Sequence, residues 1–544
     1  MGAKHHRQLA GPDSDELRYV TQVTGERENA RVALGEGATG ADILGASLRL
    51  AIAEYPHVFS GLTLPNESQQ LKARMAELLP QFEAARLASE HASEIARAVC
   101  LGAAAHLRYE TRDATGGAAA APGGSLSDEL ATDAEPLRLV RVDLPGPARL
   151  RPSAEFRHLM YRGGELAQLA SALDEAHFAT KAATGALVQL AERAAGSAGL
   201  SLAGQRFVLF GAGAELSPVY TLLEAGAEVL WLDRTRPPID HLLEPRLSGA
   251  LLYVDAGAGG VDLLRRPAAV RATILEFAAG KPVHFGMHAF ASGQLGPLLL
   301  SLTMNEIVRS LPPSLVSSLS YLLAPTSVSF VAPEDAAVAG QRRSAATTLR
   351  RALARTGSLQ AGHLTVREQR LSCAVVQQQG ASFQVAEYIG KRLAAEAFSS
   401  YGSALDGDTP AHDDPTRARL AVFANMAPIT VTRSLASPLM EASLLGSSSY
   451  DLLIAQASTA RSVCSLLTVH DLLGATDAAP VRVSAPTLEG EAAIDAHAAR
   501  LAKLFELQFH GGVQAQPYAL EGIVRMAALR GIAQRPKLAF RSWR

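Results

Sequence analysis

Apolar and polar positions alternate along this chain in two periods, and the change from one to the other sets out its organisation. From Gly40 to about Arg112 the apolar residues recur at helical spacing. Ile43, Leu44, Leu48 and Leu50-Ala51-Ile52 fit one amphipathic helix. Leu71, Met75, Leu78 and Leu79 fit a second, with Pro65-Asn66-Glu67 and Pro80 as breaks. A longer alanine-rich helix is expected over 81–107, with side chains small enough for close helix packing or for self-association into a homo-oligomer. Residues 165–195 are helical again, with Leu166, Leu169, Leu173, Phe178 and Leu187 available to cover a sheet. From Leu202 the period shortens, and brief apolar runs bounded by Gly and Pro alternate with helical stretches. Strands are expected at 207–210, 228–232, 250–254, 282–285, 327–331, 373–377 and 420–425, and an edge strand at 137–142. The intervening helices are expected up to Ala225, near Ile239, and over 270–279, 294–311 and 383–398. Such alternation predicts an α/β protein with a mostly parallel sheet covered by helices on both faces.

The stretch Phe207-Val208-Leu209-Phe210-Gly211-Ala212-Gly213-Ala214-Glu215-Leu216 carries the clearest candidate chemistry. A buried strand breaking at closely spaced glycines, then a helix, then a second strand ending in Asp233 is the order of a dinucleotide-binding βαβ unit. Gly211, Ala212 and Gly213 would let the backbone approach a pyrophosphate at the helix N-terminus. Leu216 stands at the third glycine place, which widens the helix–strand spacing, and Glu215 is expected in the first helical turn, where it competes with a phosphate for the dipole. Asp233, about 20 residues beyond Gly213, is placed to bind ribose hydroxyls, and Arg234 and Arg236 to bind a 2′-phosphate. The implied cofactor is NAD or NADP, and the fold class is a doubly wound, Rossmann-like sheet with additional N-terminal and C-terminal helical regions. The expected division is a flexible arm (1–40), a helical region (41–112), an Ala/Gly-rich linker (113–136), a helical lead-in (137–200), the NAD(P)-binding domain (201–475) and a helical extension (476–544).

The stretch 202–234 resembles the opening of the short-chain dehydrogenase/reductase superfamily. Leu251-Leu252-Tyr253-Val254-Asp255 is similar to its third strand, and residues 421–432, with Pro428 and Thr430, to its late strand and Pro-containing loop. The resemblance implies an adenine-contacting Asp255, a nicotinamide loop at Pro428 and Thr430, and proton transfer by a Tyr-x-x-x-Lys pair on one helix face. The nearest counterpart here is Tyr388-Ile389-Gly390-Lys391, one residue short, with Arg392 at the lysine place. Tyr388 and Lys391 are therefore catalytic candidates in an atypical active site.

A third candidate is His288, expected past the fourth parallel strand, where ligands collect in open sheets. His284-x-x-x-His288 has metal-ligand spacing only on a helix, and Pro282 with the strand pattern argues against one, so no metal is expected. Thr430, Thr432, Arg433 and Ser434 form a polar cluster, and Phe509-His510-Gly511-Gly512 reads as a turn returning toward the sheet with no assigned role.

Composition narrows the classes further. A net charge of −2 gives no basic footprint for nucleic acid, so any nucleotide partner is a small molecule. Three separated cysteines imply no disulfide framework or zinc module, and residues 1–30 lack the apolar core of a signal peptide. The most apolar stretch, 293–302, is half the roughly 20 residues of a membrane span. A cytoplasmic protein with no membrane span is expected. No Gly-x-Ser-x-Gly elbow, His-Glu-x-x-His or P-loop occurs. The sequence thus points to an NAD(P)-dependent oxidoreductase with an unknown small-molecule substrate. Two other classes share parts of the pattern: a non-catalytic dinucleotide-binding or scaffold protein, and an S-adenosylmethionine methyltransferase. The latter carries an acid two places before the first glycine, where Leu209 stands.

Overall fold

The computed structural model describes residues 30–535 except 36, 112–123, 197–199, 239–243, 256–258, 292–293, 404–419, 432–437 and 478–489. Most of the expected arm, residues 113–123 of the linker, the helix near Ile239, and Thr432, Arg433 and Ser434 lie outside the described residues.

The chain is a mixed α/β protein built on a seven-stranded sheet: β1 (Leu139–Pro145), β2 (Arg206–Phe210), β3 (Glu228–Leu232), β4 (Ser248–Val254), β5 (Val283–Met287), β6 (Val316–Leu323) and β7 (Ala421–Met426). Their spatial order is β7-β6-β5-β2-β3-β4-β1. All neighbours from β7 to β4 are parallel, and β1 closes the edge antiparallel to β4. The chain steps outward from β2 to β3 and β4, then returns to β5 on the other side of β2. The carboxyl ends of β2 and β5 therefore flank a point where successive connections diverge, and in open parallel sheets ligands bind at such points.

Period-two alternation divides the interior into two cores. Val208, Phe210, Leu230, Leu232, Phe285 and Met287 enter one core with the helices Pro267–Ala278 and Gly296–Arg309 and the N-terminal helices. Phe207, Leu209, Val229, Trp231 and Leu251 enter the other, with Leu166–Glu175, Lys181–Ala195 and Ala457–Asp477. At roughly 1.5–3 kcal/mol for each fully buried side chain, these two faces supply the sheet's main stabilisation.

Several expected elements differ. The fifth parallel strand is Val316–Leu323, not 327–331. Ser317, Ser318 and Ser320 interrupt its apolar run, yet Ser318 is buried because its hydroxyl meets His284 Nδ1 at 2.8 Å. Phe330–Val331 belongs instead to a small antiparallel sheet with Gln369–Ser372 and His363–Val366, and 373–376 is irregular. Ser68–Leu87 is helical straight through Pro80, because Leu78, Leu79 and Phe82 bury around it. The expected helix over 81–107 is consequently divided, its second part being Ala92–Ala104. Ala30–Leu34, placed in the arm, is a strand antiparallel to Leu107–Thr111.

Past β2 the expected helix is also displaced. Residues 211–218 form successive turns, with Ala214 N–H bonded to Gly211 O (2.9 Å) and Ser217 N–H to Ala214 O (3.0 Å). The helix, Val219–Glu224, has only six residues and starts after Pro218, so Glu215 and Leu216 precede it.

Candidate functional site

The glycine turn is built against the end of β5. Gly211 has φ +75°, and a Cβ there would lie 2.3 Å from Ala289 Cα. Both the left-handed backbone and the close approach require glycine. Ala212 is buried, and Leu216 packs part-buried in the second core. Gly213 faces Asp233: its N–H donates to Asp233 Oδ2 (3.0 Å), and a Cβ would meet Thr235 Oγ1 at 2.7 Å. Asp233 Oδ1 accepts from Thr235 N–H (2.8 Å) and Oγ–H (2.7 Å). The carboxylate expected to bind ribose is thus occupied on both oxygens in fastening β3 to the glycine turn. Asp255 is likewise engaged, pairing with Arg236 at 2.7 Å. Arg234, by contrast, is exposed, with Asp262 at 3.6 Å. The acid-then-arginine order is legible in sequence, but which of these side chains stays open is decided by backbone turns that the sequence does not display.

His288 follows β5 directly, its N–H bonded to Phe210 O (2.9 Å) across the point where the strand order reverses. Its imidazole folds over Gly286, where a Cβ would lie 2.9 Å from the ring. Both ring nitrogens are sealed from solvent and have no hydrogen-bond partner among the described residues. Burial, with the nearby Lys391 ammonium adding to it, pushes its pKa down to about 3, so the ring is neutral at pH 7. His284 is different: Ser318 and Gln205 bond its two nitrogens at 2.8 and 3.0 Å, it stacks on Phe207, and burial lowers its pKa to about 4. It is a satisfied structural histidine at the other end of the strand. Among the described residues, no group of three or more His, Cys, Asp or Glu side chains could hold a metal ion.

Lys391 approaches the same end of the sheet from the helical stretch 380–401, whose middle, Val385–Leu393, is a π-helix. Its ammonium donates to Leu322 O (2.9 Å) and Glu387 Oε1 (2.6 Å), while Glu387 Oε2 accepts from Ala324 N–H (2.8 Å). The wider π turn aligns residues four apart and separates those three apart. Tyr388 and Lys391 therefore diverge instead of sharing a face. The π-helix carbonyls find side-chain donors: Asn305 Nδ2 binds Gly390 O at 2.7 Å, and Tyr321 in turn donates to Asn305.

Tyr388 points into a buried charge network that the sequence did not reveal. Its hydroxyl donates to Glu83 Oε2 (2.6 Å), whose Oε1 accepts from Arg86 and Arg392 (both 2.8 Å). Arg86 also binds Glu396 at 2.6 and 2.8 Å, and the Arg392 guanidinium lies over the rings of both Phe330 and Phe505. Burial and the Glu83 charge raise the Tyr388 pKa well above its ordinary value. The phenol is a structural donor, apart from the glycine turn and His288. Tyr388→Phe is expected to cost about 1–2 kcal/mol of stability by leaving a buried carboxylate oxygen with one donor fewer. Urea unfolding measures that loss, and ligand-induced melting shifts should stay unchanged.

Pro428 and Thr430 are buried past β7, the edge strand, with β6 and β5 between it and the strand that carries the glycine turn, and the Thr430 hydroxyl donates to Pro428 O (2.8 Å). The segment 507–513 returns to this edge as expected: Phe509 N–H bonds Met426 O (3.0 Å) and Gly511 N–H bonds Phe178 O (2.8 Å). It brings fully buried His510 to Asp335, with Nε2 3.0 Å from Oδ2, while Nδ1 accepts from Gly512 N–H (3.1 Å). The histidine just before the Gly511-Gly512 turn was the available signal; its partner, far away in sequence, carried none. No protein-family model matches this chain, and no curated protein matches it.

Proposed function

We propose that the chain is an NADP(H)-dependent oxidoreductase of Rossmann type, working in the crevice between the carboxyl ends of β2 and β5. The observation that carries the reading is the reversal of strand order there, with Gly211 on one side and His288 on the other. Counting only parallel strands, the order is 3-2-1-4-5-6, the arrangement in which dinucleotides lie across the switch point. Gly211 makes the tight left-handed turn at the end of β2 that such a site uses, though the space its missing Cβ leaves is filled by the Ala289 backbone and the six-residue helix beyond contributes less dipole than a long one would. Because both oxygens of Asp233 already accept hydrogen bonds within the chain and Arg234 is exposed, with only the longer contact to Asp262 at 3.6 Å, a 2′-phosphate suits the ribose end better than a free hydroxyl. The bound nicotinamide would supply hydride transfer. The chain's part is to orient a substrate oxygen: neutral His288 can donate or accept a hydrogen bond, and Lys391 adds positive charge nearby.

A non-catalytic dinucleotide-binding protein is the second reading, favoured by the engagement of Tyr388 with Glu83 and of Lys391 with Glu387, which leaves no Tyr–Lys pair on one helix face. Melting curves with NADPH, NADH and S-adenosylmethionine at millimolar concentration test the cofactor class, since ligand binding raises stability by linkage. NADPH should give the largest shift. No shift with either dinucleotide, or a shift with S-adenosylmethionine alone, refutes the reading. Arg234→Ala should weaken NADPH about tenfold, or about 1.4 kcal/mol, and leave NADH unchanged. Asp233→Ala should weaken both and lower stability by about 1–3 kcal/mol, because it releases the glycine turn. Equal NADPH and NADH losses in Arg234→Ala would remove the 2′-phosphate site.

A further inference from the structure

Between Ala336 and Arg367 the chain contains six arginines and no acidic residue. The segment folds into two short helices, Pro333–Ser344 and Thr348–Arg355. Three of the arginines are engaged with the rest of the protein. Arg342 donates to Ala515 O (3.1 Å), Arg350 donates to Ser449 O (3.1 Å) and lies over the Tyr450 ring, and Arg367 pairs with Asp495 at 3.2 Å. Leu353 and Ala354 also turn inward, packing on a small core that includes Leu359 and Ile523. The solvent-facing side of the second helix spans Leu349, Ala352, Arg355 and Arg351, all exposed, an arc of about 160° with Leu349 at one border, and exposed Arg343 precedes the helix. Arg343, Arg351 and Arg355 make no hydrogen bond or ion pair among the described residues, and Leu349 is 64% exposed, the highest of the exposed large hydrophobic side chains described.

We propose that this outward face docks the protein on an anionic phospholipid surface. Two features of this exposed side must be satisfied together: three guanidinium groups with no partner among the described residues, and a protruding leucine at its border. A bilayer interface takes both, since the cations meet lipid phosphates while the leucine enters the acyl boundary. A nucleic-acid backbone meets the charges but leaves Leu349 in water, and the chain as a whole, at net charge −2, provides no wider basic field to hold a polyanion. The body-facing arginines fix the helix so that the exposed side stays outward without rearrangement. The inference is independent of the cofactor proposed above.

The full chain is sedimented with vesicles of phosphatidylglycerol and phosphatidylcholine, and with phosphatidylcholine alone. The parent should pellet with the anionic vesicles only, and added salt should release it. Arg343→Gln/Arg351→Gln/Arg355→Gln should partition roughly a hundredfold more weakly, from about a factor of five for each arginine. Leu349→Ser should weaken binding by about tenfold, without changing its salt dependence. Melting temperature and the NADPH-induced shift should remain those of the parent in both variants, because none of the four side chains supports the core or the crevice. The inference is overturned if the parent stays in solution with anionic vesicles, or if the triple variant pellets like the parent. Binding of duplex DNA in place of vesicles overturns it as well.

Discussion

Arg86→Met should destabilise the protein by about 3–5 kcal/mol, the largest single-residue loss expected outside the glycine turn. The guanidinium is fully buried and binds both Glu83 and Glu396, so its removal leaves two carboxylates facing each other without water. Burial alone would push both carboxyl groups up; Arg392 and Arg86 at Glu83, and Arg86 with His497 at Glu396, overcome burial and hold them below the ordinary glutamate range. Folded-state pKa values that lie below the unfolded ones add stability that is complete above the unfolded value, about pH 4.3, and lost as the pH falls below it. His288 acts in the same direction. Its folded pKa near 3 lies under the unfolded value of about 6.5, so the unfolded chain takes up the proton first and stability declines from pH 6.5 downward. Urea unfolding between pH 4 and 8 should therefore show a parent that weakens steadily on acidification. Arg86→Met should flatten the lower part of that profile, because its carboxyls are no longer held down. Adding Glu396→Gln to Arg86→Met should regain part of the loss, since it removes one uncompensated charge. An Arg86→Met protein as stable as the parent would mean the network is not closed as described.

Gly211→Ala should be as severe and should also abolish cofactor binding. A left-handed φ costs an L-residue about 1–2 kcal/mol, and forcing a methyl against the Ala289 backbone adds about 1–3 kcal/mol. Relief is available only by moving β2 and β5 apart at the crevice. The expected outcome is a loss of about 2–5 kcal/mol together with no NADPH-induced melting shift. Gly280 provides the comparison: its φ is also positive, at 74°, yet no atom lies within 4 Å of the added Cβ. Gly280→Ala should therefore lose only the backbone part, about 1–2 kcal/mol, and keep the shift.

The frame of β2, β3 and β4 was legible because each strand is a short apolar run closed by Gly, Asp or Pro, and burial on both faces leaves no other reading. β6 was not, because its serines look like loop until His284 and neighbouring strands supply their partners. His288 stands directly past β5, a position that could be read because a strand end shows in the local pattern alone. Tyr388 and Lys391 were joined by assuming an α-helical turn, and the π segment moved one to Glu83 and the other to Glu387. The buried network was invisible for a simpler reason. Glu83 and Arg86 stand about 310 residues from Arg392 and Glu396, and no local period reports such a contact.

Trp231, at the end of β3 beside the glycine turn, offers the most direct test of the proposed crevice. The only other tryptophan is Trp543, so Trp543→Phe leaves a single reporter. Indole emission overlaps dihydronicotinamide absorption, and NADPH bound between β2 and β5 should quench Trp231 and emit by energy transfer. The account predicts saturable transfer in Trp543→Phe and none when Gly211→Ala is added. No transfer from Trp231 at millimolar NADPH, or transfer that survives Gly211→Ala, would contradict it.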